Sequence, residues 1–223
     1  MNVTEAVKSR RSIRQFIDKP VDRSVIDRVL VTAQRAPSGG NTQPWSAVVV
    51  GGDELARIAA AIKAKAQAAP MGEGAEYAIY PKELDGRYEE QRRGVGKAMF
   101  DAIGLERGDG AGRITQMAKN WDSFGAPVQL FTYTRKYMGP PQWSDMGMWL
   151  QTVMLLLREE GLDSCAQEIW AMYGTYMREL LGVDDDHIFF CGMAIGYRDA
   201  DDPINNFDVS RVPISENVKF LGL

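Results

Sequence analysis

The N-terminal segment carries three arginines within five residues, Arg10, Arg11 and Arg14, together with the hydroxyl group of Ser12. Guanidinium groups this close together repel one another unless an anion or solvent neutralises them. A phosphate monoester carries about two negative charges and accepts forked hydrogen bonds from arginine, with Ser12 as an additional neutral donor. The other interpretation is a solvated basic end of a helix, stabilised by the helix dipole. The spacing alone leaves both interpretations open.

The segment that follows Pro37 is suited to approach a ligand closely. Gly39 and Gly40 have no Cβ atom, so the backbone there is accessible. The neighbouring side chains are neutral hydrogen-bonding groups, namely Ser38, Asn41, Thr42 and Gln43. Such groups suit sugar hydroxyls and the polar edge of a heterocycle. The alternative is an ordinary glycine-rich turn between a helix and a strand.

The composition is typical of a globular protein and excludes several functional classes. Hydrophobic residues make up 45% of the 223 residues, and the net charge of −4 does not indicate nucleic-acid binding. The two cysteines, Cys165 and Cys191, cannot form a disulfide framework. No apolar stretch has the length of a signal peptide or reaches the ~20 residues that cross a bilayer. We therefore expect a soluble cytoplasmic protein without nucleic-acid or membrane partners.

Motifs of other enzyme classes are missing from the sequence. No HExxH, GxSxG, P-loop or zinc-ligand pattern occurs, so no metal site is predicted. The stretch GDGAGR at 108–113 lacks the GxGxxG spacing and does not follow a predicted strand. The single histidine, His187, begins a predicted buried strand, where we expect a structural role.

Hydrophobic periodicity predicts helices that alternate with strands, which indicates an α+β or α/β class with a small sheet. The predicted helices are one from about Thr4, with Asn2 and Glu5 as a capping box, and others at 25–33, 53–68, 144–160 and 175–181. Ser144 or Asp145 is the predicted cap of the fourth helix and Gly161 its terminator. The predicted strands are 45–50, 126–133, 187–195 and a short β-like stretch, VKFLGL, at 218–223.

Residues from about 70 to 115 interrupt this pattern. Irregular segments of this length inside a compact domain are often lids or binding segments, and we expect this one to be partly helical and partly mobile. Five aromatic residues are candidates for an apolar slot, although most are expected in the core or an interface: Tyr80, Tyr88, Phe124, Trp143 and Trp170. An aromatic carboxylate is a candidate substrate if Lys82, Arg87 or Arg92 faces that slot.

Three features together resemble the nitroreductase flavoprotein family: RRSIRQF at 10–16, APSGGNTQPW at 36–45, and a late strand followed by Arg211. The similarity spans nearly the whole chain in the same order and is greatest to the nitrobenzoate and dinitroaniline reductase branch. The resemblance implies an α+β fold, an α/β-like three-layer sandwich in which helices flank a small, mostly antiparallel sheet. It also implies one FMN-binding domain over 1–223, with a lid-like excursion at about 70–115 and a C-terminal tail extended onto a partner subunit.

The resemblance implies which positions bind FMN. Arg10, Arg11, Ser12 and Arg14 match the segment that holds the phosphate, ribityl chain and pyrimidine edge, and Arg211 matches a second phosphate-binding arginine. Pro37, Ser38, Gly39, Asn41 and Gln43 match a loop that reaches the flavin from the partner subunit. Gln167 and Glu168 match part of a segment whose backbone N–H faces flavin N5, although many relatives have proline where Cys165 stands. Asn120 matches an asparagine at the flavin edge.

The activity that the resemblance implies is NAD(P)H-dependent reduction of nitroaromatic acceptors through bound FMN, with quinones as a further acceptor class. A hydride passes from NAD(P)H to the acceptor by a ping-pong mechanism, and no side chain is needed as a nucleophile or general base because the cofactor supplies the chemistry. The implied assembly is a homodimer with FMN at the subunit interface and a small aromatic acceptor. The alternatives are a flavin reductase, an ene reductase or a reductive dehalogenase on the same fold, or a flavin-binding redox sensor without turnover.

Overall fold

An antiparallel sheet of four strands, in the order β1-β2-β4-β3, forms the centre of residues 1–222, the part of the chain that a computed structural model describes. The strands are β1 (Ser46–Gly51), β2 (Val128–Arg135), β3 (Asp163–Gln167) and β4 (His187–Gly196). The helices are α1 (Val3–Ser9), α2 (Arg23–Ala33), α3 (Gly52–Ala68), α4 (Gly86–Ala102), α5 (Gly110–Ala118), α6 (Pro140–Glu159), α7 (Gly174–Leu181) and α8 (Ile214–Asn217). Short 3₁₀ turns occur at Gly39–Asn41, Lys119–Gly125, Glu168–Tyr173 and Pro203–Asn205.

The sheet lies between two helical layers because successive side chains of its central strands point to opposite faces. On β2, Leu130 packs with α2 and α6, whereas Phe131 packs with α3, α7 and the fully buried Trp170. On β4, Met193 packs on the side of α2 and α6, and Phe189 packs on the side of α3 and α7. The predicted fold class is therefore confirmed: an α+β three-layer arrangement with a small antiparallel sheet.

Helix α6 runs through the larger core, as its periodicity predicts, but it begins earlier than expected. Its buried residues keep helical spacing: Met146, Trp149, Leu150, Val153 and Leu157. The predicted cap at Ser144 or Asp145 is wrong, because Pro140 occupies the first turn and the Gln142 side chain accepts from the Gly139 N–H at 3.1 Å. The predicted end is confirmed, since Gly161 has a φ of 75°, a left-handed conformation that suits glycine.

The two N-terminal helices also differ slightly from their predicted ends. Helix α1 has the predicted capping box, with reciprocal hydrogen bonds between Asn2 and Glu5. It ends at Ser9, so residues 10–14 continue in extended conformation and not as a basic helix end. Helix α2 ends at Ala33, before Pro37.

Further differences lie in the segment from about 70 to 115, which contains α4 and the start of α5, at a strand and at the tail. Strand β3 was not predicted because its five residues, DSCAQ, are mostly polar or small. The stretch at 218–223 is not β-like in its described part, since residues 218–222 form no strand and no described strand pairs with them. Leu223 lies outside the described residues. Among residues 1–222, no helix combines the length and apolarity needed to span a membrane.

Candidate cofactor site

The edge of strand β3 positions the N-terminal arginine cluster. The backbone N–H of Ile13 donates to the carbonyl oxygen of Ser164 at 3.1 Å, and Ser12 forms a parallel bridge with Ser164. Ile13 is fully buried, so the alternation of an extended chain places Ser12 and Arg14, both only partly buried, on the opposite side. The cluster is therefore held as an additional short strand segment and not as a helix end.

The cluster and the C-terminal segment enclose a cleft of about 420 Å³. Four predicted residues from the N-terminal cluster line it together with Arg211, namely Arg10, Arg11, Ser12 and Arg14. The structure thus brings these five predicted site residues together from opposite ends of the chain. We refer to this space as the arginine cleft.

The arginine cleft is strongly cationic. Partial burial and the nearby positive charge of Arg211 lower the pKa of the Arg10 guanidinium. Asp208, also in the lining, pairs with Arg11 at 3.5 Å, but its side chain is fully exposed, so the pair is weak. Two like charges held this close are stabilised by an anion, and phosphate matches their hydrogen-bonding geometry.

Arg11 differs from its neighbours because it is already bound to the tail. Its Nη1 donates to the carbonyl oxygen of Phe207 at 3.0 Å, and its Nη2 contacts Asp208. The side chains of Arg14 and Arg211 contact only backbone carbonyls close to them in sequence. Arg10, Arg14 and Arg211 are thus better placed than Arg11 to bind an anion.

Asn205 is a residue of this site that sequence reasoning missed. Its buried side chain accepts a hydrogen bond from the backbone N–H of Arg14 and donates to the carbonyl oxygens of Gln15 and Asp199, each at 2.8 Å. The Asp202-Pro203 pair starts a capped turn, Pro203–Asn205, that delivers this side chain. The sequence contained the signal for this turn, but it did not indicate that Asn205 contacts Arg14, 191 residues away.

The far end of β3 carries the next group of predicted residues. Gln167 is buried, and its Nε2 donates to the backbone oxygen and the Oδ1 of Asn120, at 3.0 and 3.1 Å. Its Oε1 is also buried and has no hydrogen-bond partner in the described part of the chain. Glu168 remains exposed, although desolvation raises the pKa of its carboxyl. The structure thus places Asn120, Gln167 and Glu168 together.

Cys165 lies on the same strand, beside the arginine cluster. It is buried, and this burial raises the pKa of its thiol even though Arg14 and Arg10 are near enough to lower it. Strand β3 therefore joins both groups, because Ser164 holds residues 10–14 and Gln167 holds Asn120.

The polar loop at 37–43 lies elsewhere in the chain, at the start of α6. The backbone N–H of Gly39 donates to Oδ2 of the buried Asp145 at 3.1 Å, and Gln43 N–H donates to Oγ of Ser38 at 3.0 Å. Asn41 and Gln43 have positive φ values of 57° and 45°, a strained conformation for residues other than glycine. The predicted loop residues, Pro37, Ser38, Gly39, Asn41 and Gln43, are absent from the described lining of the arginine cleft.

A larger apolar groove, of about 900 Å³, begins next to the β3 residues. Trp121 and Ile169, the chain neighbours of Asn120 and Glu168, line it together with Met117 and Met172. Sequence reasoning did not select any of these side chains. The methionine and isoleucine positions had no signal that separated them from core residues.

None of the five aromatic candidates, nor the histidine, is a described lining residue of the arginine cleft or the apolar groove. Phe124 and Trp170 are buried core residues, whereas Tyr80 and Tyr88 are about half exposed. Trp143 packs edge-on against Tyr77 and Phe190. The Nδ1 atom of His187 lies 2.5 Å from Oδ1 of Asp184 at the start of β4. Among residues 1–222, no three or more histidine, cysteine or acidic side chains group in a way that suits a metal ion.

Comparisons with known proteins give one consistent result. A family model described as the nitroreductase family matches residues 7–197. The nitrobenzene nitroreductase of Ectopseudomonas oleovorans is 32% identical over 223 residues, which cover 98% of this chain and 96% of the relative. The crystal structure of the FMN and NADPH-dependent nitroreductase NfnB from Sphigopyxis sp. strain HMH has a TM-score of 0.98 and 48% identity, with full coverage of both chains. The FMN-dependent nitroreductase NfnB from Mycobacterium smegmatis, solved in complex with NADPH, has a TM-score of 0.92 and 27% identity, covering 98% of this chain and 97% of that one.

Proposed function

The chain belongs to the nitroreductase family, and from this premise we propose that it is an FMN-dependent oxidoreductase that reduces nitroaromatic compounds with NADPH or NADH. The relatives that match over nearly their whole length are named for nitrobenzene, 4-nitrobenzoate and chloronitrobenzene. Both solved neighbours described above are FMN-dependent enzymes by their description, and one of them was solved with NADPH.

The observation that carries the proposal is the pairing of Arg10 with Arg211 in the arginine cleft. Arg10, Arg14 and Arg211 line one cleft, and partial burial together with the charge of Arg211 lowers the pKa of Arg10, so an anion bound there would relieve the repulsion. FMN presents a phosphate monoester, which accepts several charge-assisted hydrogen bonds from such a pair. The residues present therefore fit the cofactor: Arg10 and Arg211 would hold its phosphate, with Ser12 as a neutral donor.

The other predicted residues would orient the ring. Arg14, fixed through its backbone by Asn205, would place a cation at the pyrimidine edge. Asn120, held by Gln167, would bind the ring edge, and the backbone at 167–168 would donate toward N5. When bound, FMN would supply the hydride-transfer chemistry between the nicotinamide and the acceptor, while these residues supply binding, orientation and electrostatics.

We assign the apolar groove to the aromatic acceptor. It begins beside Asn120 and Glu168, and its indole, isoleucine and methionine side chains suit a flat apolar ring. The groove lies beside the residues proposed for the flavin edge, so NADPH and the acceptor would take turns in it, which predicts ping-pong kinetics. Quinones have a similar flat shape and would enter the same groove.

The proposed assembly is a homodimer. The loop at 37–43 is fixed at the start of α6 by Asp145 and lies outside the arginine cleft of its own chain, so it would complete the partner subunit's site. Residues 1–223 would form one domain, with about 70–115 as a lid and the tail extended across the partner. The exposed apolar side chains of the tail, Phe220 and Leu221, would then be covered. Obligate interfaces are commonly apolar and bury more than about 2,000 Å².

The first test is the visible absorption spectrum of the purified protein, before and after anaerobic NADPH. We expect a flavin spectrum that bleaches with NADPH and recovers when 4-nitrobenzoate or nitrobenzene is added. A protein that stays colourless in the presence of FMN would contradict the cofactor assignment. A flavin that NADPH and NADH both fail to bleach would instead indicate a flavin-binding protein without turnover.

A further inference from the structure

A second basic cavity, of about 670 Å³, lies between α4, the following turn and α5. We call it the arm cavity. Its charged lining comprises five cations and one carboxylate, namely Arg92, Arg93, Lys97, Arg107, Arg113 and Asp101. None of these six residues lines the arginine cleft.

Two of the five cations are neutralised along α4 itself. Arg93 pairs with Glu89 at 2.6 Å, and Lys97 pairs with Asp101. For Arg92, Arg107 and Arg113, no acidic side chain within residues 1–222 lies at ion-pair distance. The arm cavity thus concentrates positive charge in a protein whose net charge is −4.

Two of these arginines are stacked in a way that leaves their donors free. The guanidinium of Arg113 lies 4.5 Å from the ring centre of Phe100, and that of Arg92 lies 4.3 Å from the ring centre of Tyr80. Stacking uses the flat face of the guanidinium and leaves the N–H groups at its edge available for forked contacts. The Nε of Arg113 is an exception, because it is buried and has no hydrogen-bond partner in the described chain, which costs stability.

Two glycines keep the wall of the arm cavity open. Gly94 and Gly96 both line it from the interior of the 17-residue helix α4, where each glycine costs about 1 kcal/mol relative to alanine. A Cβ atom at either position would meet no other group within 4 Å. Close packing inside the described chain therefore does not require them, and the helix backbone is open at this wall of the cavity.

We propose that the arm cavity binds the 2′-phosphate end of NADPH and selects NADPH over NADH. The inference rests on the proposed function, because it assumes that a nicotinamide nucleotide is the electron donor. Three unpaired guanidinium groups match a phosphate monoester, which is the group that distinguishes the two nucleotides. Arg113 lines both the arm cavity and the apolar groove, in which NADPH and the acceptor would take turns, so the two spaces adjoin. A dinucleotide with its nicotinamide in the groove would extend past Arg113 into the arm cavity.

The test is calorimetric binding of two NADPH fragments to the FMN-loaded protein. We expect 2′-phospho-ADP-ribose to bind at least about 10-fold more tightly than ADP-ribose, which carries no phosphate monoester. Arg107→Ala and Arg113→Ala should each weaken binding of 2′-phospho-ADP-ribose by about 10-fold or more, the effect of one charge-assisted contact, and leave binding of ADP-ribose unchanged. Arg113→Lys keeps the charge but loses the forked pair of N–H donors. Its affinity for the fragment with the 2′-phosphate should therefore lie between those of wild type and Arg113→Ala. The matched control is Arg23→Ala, since Arg23 is exposed and pairs only with Asp27 on α2.

Two outcomes would overturn the inference. One is equal binding of the two fragments, or binding that Arg107→Ala and Arg113→Ala leave unchanged. The other is a variant whose Michaelis constant rises for nitrobenzoate but not for nitrobenzene, which would make the arm cavity a carboxylate site for the acceptor. Failure of the proposed function is seen separately, as a bound flavin that neither NADPH nor NADH bleaches.

Discussion

The Oδ1 atom of Asn205 accepts a hydrogen bond from the backbone N–H of Arg14 at 2.8 Å. The same side chain donates to the backbone carbonyls of Gln15 and Asp199, so both polar atoms of the Asn205 side chain hold the backbone around Arg14. Asn205 itself is buried and lines the arginine cleft. It therefore fixes the direction in which the Arg14 side chain leaves the backbone.

Asn205→Ala should displace Arg14 as well as lower stability. Removing the acceptor leaves the Arg14 N–H unsatisfied, which costs about 1–3 kcal/mol. If Arg14 is the cation at the pyrimidine edge, the reduction potential of the bound flavin should also fall, in the same direction as in Arg14→Ala. The measurements are the melting temperature and the potential of both variants. A lower melting temperature with an unchanged potential would restrict Asn205 to a structural role.

Arg10→Ala and Arg211→Ala should each weaken FMN binding by about 10- to 150-fold, because each removes one charge-assisted contact to the phosphate. Arg11→Ala should have a smaller effect, since Arg11 already donates to Phe207. Fluorescence titration of the flavin-free variants with FMN measures all three, with riboflavin as the ligand that lacks phosphate. Riboflavin affinity that falls as much as FMN affinity would mean that these arginines do not bind the phosphate.

The part of the arginine cleft that was predictable from sequence is the part formed by charged residues close together in the chain. Arg10, Arg11 and Arg14 are close in the chain, and the resemblance supplied Arg211. Asn205 was not predictable, because its importance comes from a contact with Arg14, 191 residues away. Strand β3 was missed for a related reason: DSCAQ becomes a strand only because β4 pairs with it. Helix α6, in contrast, was predictable because its hydrophobic spacing is local. Only its start was placed too late, since the helix begins at Pro140.

The buried thiol of Cys191 predicts a loss of stability in alkaline solution. Burial raises its pKa from 9.0 to about 12, although the Thr132 hydroxyl, 3.3 Å away, partly opposes this. A group whose pKa is raised by folding stabilises the native state fully below its unfolded pKa and loses that contribution as pH rises toward the folded value. Between pH 8 and 10.5 this amounts to about 2 kcal/mol.

Urea unfolding at the two pH values measures this loss, with Cys191→Ala as the matched variant. Tyrosines and lysines titrate in both proteins. The difference between wild type and variant in how much the free energy of unfolding changes with pH therefore isolates the contribution of the thiol. We expect the variant to be less stable at pH 8, because it lacks the buried sulfur, and to lose less stability on going to pH 10.5. Identical pH dependences would show that the thiol does not contribute.

The shared site predicts complementation between two defective chains. Asp145→Ala should free the loop at 37–43, because Asp145 accepts from the Gly39 N–H, and should weaken flavin binding without touching the arginine cleft. In a mixed dimer of Arg10→Ala and Asp145→Ala chains, one site carries both defects and the other carries neither if the loop serves the partner. Refolding an equimolar mixture should therefore restore bound FMN to about half of the mixed dimers' sites.

The control mixture combines Arg10→Ala with Arg211→Ala. Both residues line one cleft of one chain, so every site in that mixed dimer lacks one arginine and no flavin should be regained. Flavin content after gel filtration, read from the visible spectrum, compares the two mixtures. If the loop served its own chain, each site of the first mixed dimer would also keep one defect. Equal flavin content in the two mixtures would then assign the loop to its own subunit, and the homodimer would no longer be needed to complete the site.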